Sequence, residues 1–191
     1  MTHVAVVGAN GRTGRLLAVA AERAGFAVIR ITRHEADATD VAALRAFVAK
    51  AHVVVSCVGP GPRSANGILE ASTRALLGAG ARRIVSISAS GPYTEGDGLF
   101  LARIVKPVLW RFLGATWRDM LASDRLLANS GAEWTSMRPP QLTDGPARGY
   151  RRALGRNVAH GIRITRADLA RAIVDAIGDP ATIRTSVSVA N

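Results

Sequence analysis

Apolar residues occur in this chain as short continuous runs separated by stretches with a helical repeat. Val4–Val7 reads as a buried strand, and Arg12–Ala24 carries amphipathic helical spacing closed by Gly25. Ala27–Thr32 is the next strand. Asp40, whose carboxylate can accept an orphan helix amide, then caps a helix over Val41–Lys50. His52–Cys57 is a strand, Ala65–Leu77 a helix ending at Gly78, and Arg83–Ser88 a further strand. These strand runs are rich in Val and Ile and show no polar alternation, as strands covered on both faces require. The alternation predicts an α/β, Rossmann-type doubly wound, mostly parallel sheet with helices on both faces.

The rhythm changes in the second half. Leu99–Leu113 and Thr116–Ser130 are helical, with breaks at Pro107 and Gly114. Glu133–Met137 is a strand ended by Arg138-Pro139-Pro140. Residues 141–163 are rich in Gly, Pro and Arg and read as a long loop with a short strand near Tyr150. Thr165 or Arg166 opens a last helix through Ile177, and Arg184–Val189 is the last strand. No linker or repeat interrupts the pattern. A single domain over residues 1–191 is expected, with residues about 91–130 and 141–163 as its substrate-side elements.

Composition narrows the class. The 191 residues are 48% hydrophobic and 20% charged, which excludes disordered and low-complexity chains. One cysteine, Cys57, excludes a disulfide framework and any multi-cysteine metal site; set in a Val-rich strand, it reads as a small buried hydrophobe. The four histidines are scattered without ligand spacing, so no metal is expected.

The net charge of +11, carried almost entirely by arginine and spread over both halves, calls for anionic partners. The densest basic cluster is Arg148, Arg151, Arg152 and Arg156. Only Tyr150 is interleaved with it as a stacking platform, which argues against nucleic acid. Leu99–Leu113 is broken by Arg103, Lys106, Pro107 and Arg111, so no stable membrane insertion is expected. That segment fits either a helix lying on a membrane surface or a lid hinged at Pro107. Its position on the substrate side of the sheet favours the lid, with Trp110, Phe112 and Trp117 shaping an apolar pocket. Met1-Thr2-His3 leads straight into an apolar strand without a charged n-region, and a cytoplasmic location is the expectation.

The turn Gly8-Ala9-Asn10-Gly11-Arg12-Thr13-Gly14 directly follows a strand and opens a helix. Gly8 permits a tight turn, Gly11 lets a pyrophosphate approach the backbone, and Gly14 lets helix and strand pack closely. The helix N-terminus then offers free amides and a partial positive charge to phosphates. An acidic residue at the end of the second strand would bind the adenosine ribose hydroxyls, but the chain has Thr32-Arg33-His34 there. Arg33, with Arg12 in the glycine turn, matches a 2′-phosphate and favours NADP(H) over NAD(H). Ser88 and Ser90, at the C-terminal end of a strand, are candidates for hydrogen-bonding a substrate carbonyl in a catalytic role.

These features resemble the atypical short-chain dehydrogenase/reductases, the NAD(P)H-binding or NmrA-like family. The resemblance rests on the glycine turn, on Arg33 and on Asp37-Ala38-Thr39-Asp40. It extends to Val58-Gly59-Pro60-Gly61, Ile87-Ser88-Ala89-Ser90, the run from Ser130 to Pro139, and Leu142-Thr143-Asp144-Gly145-Pro146. In size and plan the chain is similar to the biliverdin-IXβ/flavin reductases.

The resemblance implies that Gly8, Asn10, Gly11, Arg12, Thr13 and Gly14 hold the pyrophosphate and 2′-phosphate, and that Asp37 and Ala38 border the adenine. It implies Val58, Gly59 and Pro60 along the adenosine ribose, Ser88 and Ser90 near the nicotinamide, and Pro139 with Pro140 framing the carboxamide.

Two departures stand out. Only His34, Glu35 and Ala36 separate Arg33 from Asp37, where the family places a longer segment, so a truncated third strand and sheet edge are expected. The family's catalytic Tyr-x-x-x-Lys pair is also missing: Tyr93 is followed four residues on by Asp97, and Tyr150 by Leu154. The resemblance implies an NADP(H)-dependent oxidoreductase acting on a small apolar or aromatic molecule, with a homodimer left open. The alternatives are a redox sensor of the NmrA-like type that binds NADP(H) without turnover, and a nucleotide-sugar epimerase-like protein.

Overall fold

The computed structural model of the chain describes residues 1–59, 67–99 and 101–191. Its main sheet has seven strands. In chain order these are β1 (His3–Val7), β2 (Ala27–Ile31), β3 (Val53–Ser56), β4 (Arg83–Ile87), β5 (Glu133–Arg138), β7 (Arg151–Leu154) and β9 (Thr185–Ala190). Their spatial order is β2-β1-β3-β4-β5-β9-β7. All neighbours are parallel except β7, which runs antiparallel to β9. Two short strands, β6 (Gln141–Thr143) and β8 (Arg163–Thr165), form a separate parallel pair.

Alternate residues of β1 divide the core. Val4 and Val6 face a cluster with Leu17, Leu169 and Ile173, supplied by α1 (Arg12–Arg23) and α5 (Arg166–Gly178). Ala5 and Val7 face the other side, with Leu44 of α2 (Val41–Val48), Leu76 of α3 (Ile68–Gly78) and Leu127 of α4 (Lys106–Ala128). Each large aliphatic side chain removed from water contributes about 1.5–3 kcal/mol, so a doubly covered strand counts twice in the core. The α/β, Rossmann-type doubly wound sheet is therefore present.

The short Arg33–Asp37 segment has a direct consequence. After β2 the chain enters α2 and crosses to the far side of β1, leaving β2 as the sheet edge. The order in which strands are added thus reverses between β1 and β3, and in open α/β sheets such a switch point opens a crevice at the carboxyl ends of the strands. Asp40 caps α2 as expected, accepting from the amides of Ala42 at 2.8 Å and Ala43 at 3.2 Å.

Three expectations need correction. Gly114 does not interrupt a helix: α4 runs unbroken through it, because one interior glycine costs only about 1 kcal/mol and tertiary packing of the helix outweighs that. Pro107 lies in the first turn of α4, where a missing amide costs nothing, and a wide helical turn, Leu101–Val105, precedes it. The region 141–163 is more structured than expected: besides the short strand expected near Tyr150, which is β7, it holds β6 and leads into β8. The expected helical residues Ala65 and Asn66 and the site residue Pro60 lie outside the described residues.

Candidate functional site

The glycine turn is built against the ends of β2 and β3. The amides of Gly8 and Ala9 both donate to the Ile31 carbonyl, at 2.9 and 3.2 Å. Gly8 adopts the left-handed conformation (φ +79°), and a Cβ on it would press on the Cys57 backbone at 3.2 Å. A Cβ at Gly14 would stand 2.2 Å from the Gly8 carbonyl oxygen, so only glycine lets α1 begin so close to the turn. Gly11, the N-cap of α1, has an ordinary extended backbone.

The start of α1 differs from those of α2 and α5. Asp40 caps α2, and Thr165 caps α5 by accepting from the Asp168 amide at 3.0 Å. The N-terminus of α1 has no side-chain cap and no acidic residue in its first turn. Its opening amides and the positive end of the helix dipole are left for an external anion.

A cleft of about 680 Å³ lies over this turn, lined by Gly8, Asn10 and Gly11, by Thr32, Arg33 and His34 beyond β2, and by Asp37, Ala38, Val58 and Gly59. Nothing stands within 4 Å of a Cβ built at Gly59. Two local networks shape its rim. The Glu35 carboxylate accepts from the Thr32 amide at 2.8 Å and from the Thr32 hydroxyl, closing a tight turn that leaves Arg33 and His34 exposed. Those bonds, the hydroxyl's first, hold the Glu35 carboxyl below its ordinary range. Asp37 accepts from the Thr39 amide and hydroxyl, both at 2.8 Å, and its carboxyl is lowered for that reason. Cys57, partly buried, also lines the cleft, and burial pushes its thiol up to about 12, which keeps it protonated.

The structure gathers eight of the fifteen expected cofactor residues in one place. Gly8, Asn10, Gly11, Arg33, Asp37, Ala38, Val58 and Gly59 line one cleft. Arg12 does not line it; it points to Asp144, 3.4 Å away, and Arg166 holds the same carboxylate at 2.7 Å. Thr13 is half-buried and Gly14 buried in the first turn of α1. Ser88 and Ser90 run alongside Pro139: the Ser88 amide donates to the Met137 carbonyl at 2.8 Å and the Ser90 amide to the Pro139 carbonyl at 2.9 Å. The serines and the Pro139-Pro140 pair, 50 residues apart in sequence, thus share one end of the sheet.

A buried polar cluster that sequence reasoning missed sits beside these serines. Asp124, on the inner face of α4, accepts from Ser88 Oγ at 3.1 Å, Ser136 Oγ at 2.8 Å and the Tyr93 hydroxyl at 2.5 Å. It also pairs with Arg138 at 3.4 Å, whose guanidinium lies over the Tyr93 ring. Burial, and then the Asp124 charge, push the Tyr93 hydroxyl above its ordinary value. Lys106 pairs with Asp97 and donates to the carbonyls of Ser90 and Tyr93, and Asn157 donates to those carbonyls and to Asp97. The signal available in the sequence was the spacing Trp117, Asp124, Leu127, which puts an acid on an apolar helix face.

The pocket expected from the aromatic residues forms only in part. Trp117 is buried and meets Trp110 edge-on at 5.1 Å, but Phe112 is 76% exposed and lines nothing. Among the described residues no group of three or more His, Cys, Asp or Glu could hold a metal ion.

Comparison with known proteins agrees with this geometry. The chain is 41% identical over 55 residues to a dTDP-4-dehydrorhamnose reductase of Mycolicibacterium smegmatis, a match covering 29% of this chain and only 17% of that protein. A proposed NADH-flavin reductase from Streptococcus pneumoniae has the same fold, with a TM-score of 0.82 at 19% identity over the whole of both chains. A short-chain dehydrogenase/reductase from Veillonella parvula, solved in complex with NADP, superposes with a TM-score of 0.72 at 18% identity, covering all of this chain and 94% of that one. At these identities the two structures speak for the fold. The pattern of the NAD(P)H-binding family matches residues 8–180, from the first glycine of the turn to the end of α5 and just beyond, and the chain belongs to that family.

Proposed function

We propose that this protein binds NADP(H) in preference to NAD(H) and transfers hydride between the nicotinamide and a small apolar or aromatic acceptor. The observation that carries the reading is the uncapped start of α1 opening into a cleft whose far rim presents Arg33 and His34. The residues fit the cofactor. The opening amides of α1 with Asn10, Gly11 and Thr13 would hold the pyrophosphate, and Arg33 a 2′-phosphate. Asp37 and Ala38 would border the adenine, Val58, Gly59 and Pro60 the ribose, and Ser90, Pro139 and Pro140 the nicotinamide. Arg12, held by Asp144, would reach the phosphates only by leaving that ion pair. Nothing blocks such a release, because an exposed pair contributes about 0–1 kcal/mol. When bound, the cofactor supplies the hydride and the chain supplies position.

A specific observation favours a second reading, an NADP(H)-binding regulator without turnover. Ser88 and the Tyr93 hydroxyl are both committed to Asp124, and Lys106 to Asp97. None of these is free to pass a proton to a substrate oxygen, which leaves Ser90, solvent or the substrate as donor.

The test is a titration with NADPH and NADH, followed by absorbance at about 340 nm with flavin, quinone and aldehyde acceptors. Turnover with any acceptor supports the oxidoreductase, and tight NADPH binding without turnover supports the regulator. Arg33→Ala should lower the preference for NADPH about tenfold, the loss of one charge-assisted contact of about 1.4 kcal/mol. An unchanged preference removes Arg33 from the reading.

A further inference from the structure

The first half of α4 has two unlike faces. Inward, Lys106 is buried in its ion pair with Asp97, Trp110 rests on Trp117, and Trp117 packs so closely under Gly91 that a Cβ there would lie 2.5 Å from its ring. The helix is therefore seated, and its outer face is not a displaced core. Outward, Ile104, Val108 and Phe112 follow one another at four-residue spacing and are 55%, 56% and 76% exposed. Leu109 and Leu113 widen the stripe. A run of large apolar side chains this exposed marks a contact surface.

Charge decides what the contact is. The exposed charged residues between positions 101 and 118 are Arg103, Arg111 and Arg118, all described and all basic. Two nearby acids are withdrawn, Asp97 into its pair with Lys106 and Asp119 onto the amides of Leu69 and Glu70 at 3.0 and 2.8 Å, while Glu95 stays exposed in the segment before residue 101. A second copy of this chain would bring arginine against arginine on a molecule that already carries +11. A stripe of exposed aliphatic and aromatic side chains whose own exposed charges are all arginine matches an anionic lipid surface, where the apolar stripe enters the acyl boundary and guanidinium groups meet the headgroups. No described helix is long and apolar enough to cross a membrane.

We infer that the outer face of residues 101–118 docks the protein reversibly on anionic membranes. The acceptor of the proposed reaction could then be drawn from the lipid phase, but the docking stands without that reaction.

The experiment is co-sedimentation with phosphatidylcholine vesicles with and without phosphatidylglycerol, at low and high salt. It is accompanied by tryptophan emission and by sedimentation velocity on the protein alone. The full-length protein should pellet with phosphatidylglycerol vesicles, with a blue shift of emission, and release in high salt. Val108→Glu with Phe112→Glu, on exposed positions, should abolish pelleting while leaving the melting temperature and NADPH binding unchanged. Arg111→Gln and Arg118→Gln should each weaken partition about fivefold. Failure to pellet with phosphatidylglycerol vesicles, or equal pelleting with neutral ones, overturns the proposal. So does a dimer of the free protein that the double substitution dissociates, since that would mean the stripe is covered by a second copy.

Discussion

Gly14→Ala tests whether the glycine turn is held together by close backbone packing. The added Cβ would lie 2.2 Å from the Gly8 carbonyl oxygen and 3.0 Å from the Ala9 Cα. Both neighbours are backbone, so no rotamer change relieves the overlap and either α1 or the turn must move. Overpacking of a tight site costs about 1–3 kcal/mol. The opposing gain from replacing glycine by alanine in a helix is at most about 1 kcal/mol. The net loss is therefore about 1–2 kcal/mol, which in a chain of this size lowers the melting temperature by about 2–8 °C.

Gly11→Ala is the matched control. Its φ of −67° suits alanine, and its Cβ would come only 3.1 Å from the Gly8 oxygen, a shift of a few tenths of an ångström. It should keep the melting temperature and lose NADPH affinity, because the methyl group stands where a pyrophosphate must approach. Thermal melts and fluorescence titration with NADPH read both quantities. Gly14→Ala melting with the wild type would refute the packing argument, and Gly11→Ala binding NADPH normally would refute the phosphate path.

Two further outcomes concern titration. Burial alone would raise the Asp168 carboxyl, but donors from the Arg148 and Gly149 amides, Asn191 and Thr165 outweigh it and hold it below its ordinary 3.8. Its stabilising contribution is complete above pH 3.8 and is lost as pH falls through the lower folded value, because the unfolded chain takes up the proton first. Asp168→Asn should flatten the acid limb of a stability-versus-pH curve, and an unchanged limb contradicts the assignment. Cys57, its thiol pushed up to about 12, should resist alkylation at neutral pH in the folded protein and react readily in urea. Fast modification of the native protein would contradict the raised thiol value.

The strands of the doubly wound half were legible because a strand buried on both faces reads as a continuous Val and Ile run, and β1, β3 and β4 are such runs. The truncated edge was legible from the three residues between Arg33 and Asp37, too few for another strand. β6 and β8 were hidden, each only three residues long. β7 was legible only as a short strand near Tyr150, because Arg151-Arg152-Ala153-Leu154 lies at the outer edge of the sheet, where exposure weakens the apolar signature of a strand. Gly114 and Pro107 misled for opposite reasons. One glycine is tolerated inside a helix that tertiary packing holds, and one proline is welcome where the helix has just begun.

The cleft over the glycine turn was legible as a place because eight of its residues cluster in local turns of known geometry. The Asp124 cluster was not, because its members come from β4, the segment after it, α4 and β5, and only the folded chain brings them together. Arg12 was read as a phosphate ligand from its position in the turn, but a long side chain goes where a counter-charge is, and Asp144 lies 132 residues away in sequence.

The most direct test of the account is the affinity of the wild-type protein for NADPH measured beside that for NADH by titration calorimetry. The account predicts one site per chain and tighter binding of NADPH, with the difference largely removed by Arg33→Ala. Binding of neither nucleotide would contradict it, as would equal affinities that the substitution leaves unchanged.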